Sequence, residues 1–267
     1  MGETLGAYVK LIGAQGRGQA SYRVSFWLDL TGTTILVGAD LIAILVIFSR
    51  VPLLAGFSLK ETIVLFGLAA TGFSLADLLV GNIEKIRAYV RLGTLDTVMI
   101  RPLSVLGQLL VLDVGFRRVG RVVYGATLLG VALWAAEVHW TPAKLAMLVV
   151  APLAGAAFFC GFFIATSTVA FWWIESGEVA NSFTYGGRDF TSYPITIYGG
   201  WFRKIFAFAL GFAFVAYYPG LFLLGKADPL GAPAWLGWLS PLVSAAVLGL
   251  SALIWRFGVR HYRSTGS

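Results

Sequence analysis

Charge is scarce in this chain: 12% of its 267 residues are Asp, Glu, Lys or Arg, against about 25% in ordinary soluble domains. With 58% of the residues hydrophobic, that much apolar surface cannot hide inside one water-soluble core. Long polar stretches are lacking as well, so residues 1–267 read as a single membrane domain with polar loops and short helices attached. Cysteine occurs once, as Cys160 within an apolar run, which excludes an intrachain disulfide framework. Histidine occurs twice, as His139 and His261, which topology puts on opposite faces. Without a Cys/His cluster, neither a metal site nor metal-assisted hydrolysis is expected.

Nucleotide-binding motifs are missing too. The run Gly220 to Ala227 approaches a phosphate-binding loop but ends in Ala227, where a magnesium-binding hydroxyl is needed. Gly13, Gly16 and Gly18 follow no strand and open no βαβ unit. The chain is therefore expected to be no enzyme, with no catalytic residue and no cofactor of its own. Its net charge of +7 is spread among hydrophobic spans, not gathered in a basic patch interleaved with aromatics, so nucleic acid is not a partner.

What is present in abundance is apolar sequence in runs of bilayer length, about 20 residues each. Candidate spans fall near 27–49, 60–80, 120–138, 144–173, 205–224 and 237–257, which predicts an all-α integral membrane protein with six transmembrane helices. The fourth run exceeds what a bilayer needs and is expected to tilt or to continue beyond it. Between the fifth and sixth, Gly225 to Trp235 carries glycines and prolines in a largely apolar setting, a pattern for a short re-entrant segment. The first run begins after a polar, glycine-containing stretch, late for a signal peptide, so the N-terminus is expected to be retained.

The positive-inside rule sets the orientation. With the N-terminus inside, all lysines and arginines fall on the cytoplasmic side except Arg50, Lys60, Lys144 and Lys226. Both termini are then cytoplasmic, and residues 1–25 form an N-terminal interfacial segment. Two cytoplasmic connections are long: 81–119, far beyond the usual helix connection, and 174–204, rich in aromatics and glycine. The outer connections near 50–59 and 139–143 are short. A chain that spends its polar residues on one face is expected to bind something there.

Carboxylates inside apolar spans are costly and face protein or water. On a helix of 100° per residue, Asp29, Thr33 and Asp40 lie within about 40° of one another, a polar stripe running inward along the first span. Nearby sequence offers Asp40 no basic partner. It is expected to be neutral, to meet water, or to meet a cation from cargo or a neighbouring subunit, and a place on a translocation path competes evenly with a packed hydrogen bond. Asp77, near the cytoplasmic end of the second span with Ser74 a turn away, reads as an interhelical hydrogen-bonding group.

The first long connection contains Gly93-Thr94-Leu95-Asp96, then Arg101-Pro102-Leu103, and here the chain resembles the type-2 ABC exporter permeases of the compact six-span branch. The resemblance runs almost end to end. It takes in Tyr22-Arg23, Arg50 with Pro52, Phe171-Trp172, Tyr193-Pro194-Ile195 through Tyr198, Trp201 with Arg203, Tyr217-Tyr218-Pro219, and His261 through Gly266. One departure is Gly211, where the family pattern expects a proline in the fifth span, so the kink there is expected to be softened or moved. The resemblance implies a permease that pairs with a second permease, identical or paralogous, and with two cytosolic ABC ATPase subunits that carry the ATP and Mg. It also implies outward transport in a bacterial cell (inner) membrane. Gly93, Leu95, Asp96, Arg101 and Pro102 then belong to the ATPase-coupling element. Leu92, Leu95, Val98 and Met99 would hold a short helix to the membrane surface and leave Asp96 and Arg101 facing the ATPase, and Pro102 would redirect the chain. Without the resemblance, an amphipathic interfacial helix among membrane lipids is the plainer reading. Aromatic abundance suggests an amphiphilic or hydrophobic cargo. The competing class is an ion-coupled secondary transporter with Asp40 as its ion site; a lipid-modifying enzyme would need a converging acid, base or metal site that the chain does not offer.

Overall fold

The computed structural model describes residues 23–111 and 118–262, without the side chains of residues 23–30, 33, 34, 36 and 37. Among the described residues there are helices and no strands. The expected interfacial segment lies outside them except for Arg23–Ser25, which open the first helix.

Helix α1, Arg23–Phe48, has 26 residues. Helix α2, Leu59–Val80, opens on a capping box: Ser58 N donates to Glu61 Oε2 at 2.7 Å while Ser58 Oγ accepts from Glu61 N at 3.4 Å, which satisfies two orphan amides. It is the central helix, buried from Thr62 to Val80 on several faces. Glycines let its neighbours close in. A Cβ on Gly67 would lie 2.9 Å from Leu129 Cα, and one on Gly72 would lie 3.2 Å from Gly155 Cα, the small-residue packing expected of membrane helices. Those neighbours are α6, Val119–Ala135, and α7, Pro142–Thr168. Helix α7 starts with Thr141 as N-cap and Pro142 in its first turn, a favoured beginning because proline lacks an amide that would go unpaired there. On its far side packs α11, Ser240–His261, pinned by Ser244 Oγ donating to Ala154 O at 2.7 Å.

Among the described residues, three stretches are long and apolar enough to cross a membrane: 59–91, 142–171 and 234–261. A fourth is a bent pair, 200–209 and 212–224, inclined by 64°. Residues 38–48 are an apolar part of α1, and α6 is a shorter apolar helix. Of the six expected spans, 60–80, 144–173 and 237–257 fall on the three long stretches, 27–49 and 120–138 on α1 and α6, and 205–224 on the bent pair. The break is neither softened nor moved. It falls at Gly211, whose φ of +86° suits a residue without Cβ, directly after a π-helical turn over Lys204–Ala209. Helix α10, Tyr217–Leu224, completes the pair.

The segment after α10 caps the Glu61 end of the bundle. Asp228 accepts from Tyr217 Oη at 2.6 Å and from the amides of Leu230 and Ala232, and Lys226 pairs with Glu61 at 3.0 Å. These partners satisfy polar groups that an irregular backbone would otherwise leave open.

Candidate functional site

The long connection after α2 is helical. A 3-10 turn over Gly81–Lys85 leads into α3, Ile86–Arg91, then α4, Leu95–Met99, and α5, Val105–Val111. Gly93, at φ +66°, makes the turn between α3 and α4 that a side chain would strain. Buried Gln108 ties the next turn together, Nε2 donating to Val98 O at 3.0 Å and Leu103 O at 3.1 Å. The expected apolar face of this segment divides: Leu95 and Val98 are buried in the protein, whereas Leu92 and Met99 are exposed beside Ile100, which is 83% exposed. The segment is thus held by its own core contacts, and Leu92, Met99 and Ile100 form a separate outward apolar edge. Arg101 and Pro102 are exposed and Asp96 is half-buried next to it.

Residues 174–204 are not a simple connection at one end. They contain α8, Gly177–Thr191, which starts beside α3. Glu175 pairs with Arg91, and Gly177 lies against the Arg87 guanidinium, which a Cβ there would displace. From there α8 runs back along α7 and α2: Thr184 Oγ1 meets Thr166 Oγ1 at 3.0 Å, the Tyr185 ring meets Phe73, and Gly187 admits the Phe212 ring. Phe190 then joins an aromatic cluster with Phe202, Phe206 and Phe212. Beyond α8, Thr196 Oγ1 donates to Ala55 O at 3.3 Å. The expectation that put 174–204 and 50–59 on opposite faces is corrected here, because the two segments touch.

Helix α8 also supplies what nearby sequence could not. Arg188 Nη2 lies 2.7 Å from Asp40 Oδ2, and its guanidinium stands over the Phe73 ring at 5.8 Å. Asp40 therefore meets an arginine 148 residues further along, not a cation supplied from outside the chain. The side chains of Asp29 and Thr33, the rest of the expected stripe, lie outside the described residues. On its described length α1 exposes Ile35, Ile42, Leu45 and Val46 and buries Ile44; it packs on α2 and α6, and the Asp40–Arg188 pair adds a tie to α8.

Asp77 is the interhelical group expected of it, in a stronger form. It is 2% exposed and accepts from Arg121 Nη1 at 3.0 Å, with Arg118 Nε at 3.4 Å. Arg118 Nη1 also donates to Asp77 O at 2.9 Å. Gly81 makes room, since a Cβ there would collide with both partners. Arg118, Arg121, Glu175 and Arg188 were not singled out by sequence reasoning. The available signal was helical spacing: Thr184, Gly187, Phe190 and Thr191 share one face of 177–191, and Arg118 and Arg121 stand three apart.

A helical bundle with apolar membrane-length spans, a compact helical segment at one end and no strand among the described residues defines an all-α membrane domain. The family model described as ABC-2 family transporter protein matches residues 34–266, so the chain belongs to the ABC-2 transporter family and is a membrane permease of an ABC transporter. No curated protein and no solved structure matches the chain.

Proposed function

We propose that this permease works as half of an ATP-driven exporter, paired with a second permease, identical or paralogous, and with two ABC ATPase subunits that carry ATP and Mg. Its place is a bacterial inner membrane, with both termini cytoplasmic and an amphiphilic or hydrophobic cargo moving outward. Six spans are counted as α1, α2, α6, α7, α8 and α11, with 200–224 turning back on itself, because Thr196 meets Ala55 and Lys226 meets Glu61 at the same end of α2.

The observation that carries this reading is the position of α8. At one end it meets the expected coupling segment through Arg91 and Glu175; further along it holds α1 through Arg188 and Asp40. A displacement of α3 and α4 by an ATPase therefore has a rigid helix through which to act on α1, as alternating access requires. Gly93, Leu95, Asp96, Arg101 and Pro102 serve as the coupling element in this scheme, and Asp40, with Thr33 and Asp29 on the same helix, flanks the path. Aromatic groups near the pair, Phe73 and Tyr185, suit an apolar or amphiphilic passenger. A secondary transporter with Asp40 as ion site is less well supported, because Arg188 already neutralises that carboxylate.

Purification in mild detergent should bring down an ABC ATPase, with subunit masses accounting for two permeases. Reversing charge with Asp96→Arg and Arg101→Asp should keep the permease inserted while ATP hydrolysis ceases to respond to cargo. Transport driven by an ion gradient with no ATPase present would reject the proposal.

A further inference from the structure

Helices α6 and α7 both pack on α2 but make few contacts with each other. Between them is a groove of about 300 Å³. Ala126 and Gly130 on α6 are too small to fill it, and α7 contributes Leu148 and Pro152. Pro152 lacks an amide, so α7 loses a helical hydrogen bond at this level. Thr71 forms the floor. Its hydroxyl donates to Gly67 O at 2.7 Å, which leaves the groove apolar.

The surroundings say what fills it. Val131 on one flank and Val149 on the other are 57% and 60% exposed, so on a membrane helix the medium at the opening is hydrocarbon. The groove extends to Trp140, and the exposed turn there carries Glu137, which pairs with Lys60 at 3.6 Å. Tryptophan beside charged groups marks the headgroup level of a bilayer. An apolar slot that opens to hydrocarbon along its length and ends at a polar rim matches a lipid tail attached to its headgroup. Its volume corresponds to on the order of ten methylene groups, each taking about the 30 Å³ of a water molecule.

We propose that this groove is a phospholipid site, occupied by one acyl chain with the headgroup at the Trp140–Glu137–Lys60 rim. It is independent of cargo and of the ATPase. A second copy of the chain would leave the polar end of the slot uncovered, so a bilayer lipid is the better occupant.

The test uses the full permease in bilayers containing phosphatidylcholine with a photoactivatable group in mid-chain, with adducts mapped by mass spectrometry. Labelling should concentrate on residues 126–152 over the exposed α11 positions Leu250 and Leu253. Gly130→Phe, at a position where an added Cβ meets nothing within 4 Å, should lower groove labelling about tenfold and leave α11 labelling unchanged. Ala126→Leu gives a second, smaller filling of the same slot, to be read if Gly130→Phe inserts poorly. Equal labelling of groove and α11, or no response to filling, overturns the proposal. So does Gly130→Cys, with Cys160→Ala, forming a disulfide with a second copy in place of lipid labelling.

Discussion

The packing of α2 against α6 and α7 and the contact of α1 with α8 are two different kinds of helix junction. In the first, backbones meet at glycines and the ionic group is sealed: Asp77 is 2% exposed between two arginines. In the second, Asp40 keeps 41% of its side-chain exposure and its helix shows apolar side chains outward. The sealed junction has one arrangement, because moving it would strand a buried charge. In the proposed transport cycle the open one, flanking a hydrated path, can separate at small cost. The contrast then makes α2, α6, α7 and α11 the scaffold of that cycle and α1 its moving part.

The sharpest way to break the comparison is at Asp77. Asp77→Ala removes the carboxylate that Arg118 and Arg121, 19% and 37% exposed, both meet and should cost about 1.5–3 kcal/mol, the range for a hydrogen bond to a charged group. It should be seen as a large fall in thermal midpoint in detergent. Next comes Gly67→Ala, which puts a Cβ 2.9 Å from Leu129 Cα and should cost about 1–3 kcal/mol by overpacking. Were both variants as stable as wild type, the scaffold assignment would fail.

The scaffold was the part most readable from sequence. Runs of membrane length mark helices whatever their neighbours do. The coupling segment was legible in position but not in detail, since pattern alone could not tell that Leu95 and Val98 turn into the protein while Leu92 and Met99 turn out. Least legible was α8. Its face is built of threonine and glycine, which hydropathy scores as loop, yet those small and hydroxylated residues are what let a helix lie among others. Because α8 was read as a loop, Asp40 was left without Arg188. A contact across 148 residues of chain leaves no trace in local periodicity.

The bent pair lies between the two kinds of junction. Gly211 has φ +86°, and a Cβ would approach Val243 Cγ1 at 2.8 Å. Gly211→Ala should therefore cost about 1–2 kcal/mol, the penalty of a left-handed residue with a side chain, read as a midpoint shift smaller than that of Asp77→Ala.

The smallest stability effect belongs to the Asp40–Arg188 pair. With Asp40 flanking a hydrated path, as proposed, water screens the partly exposed pair, 41% and 21% exposed, and it should contribute no more than about 1 kcal/mol. Asp40→Asn and Arg188→Gln should each leave the midpoint nearly unchanged. If α1 is the moving part, each should nevertheless alter transport, because the equilibrium between closed and separated α1 shifts by a large fraction of a small free energy. The double variant Asp40→Arg with Arg188→Asp restores opposite charges in reversed order and should recover part of that loss. Such recovery would show that the attraction between α1 and α8, not the carboxylate itself, sets the rate. Loss of folding in either single variant would make this contact another sealed junction, and the contrast with Asp77 would disappear.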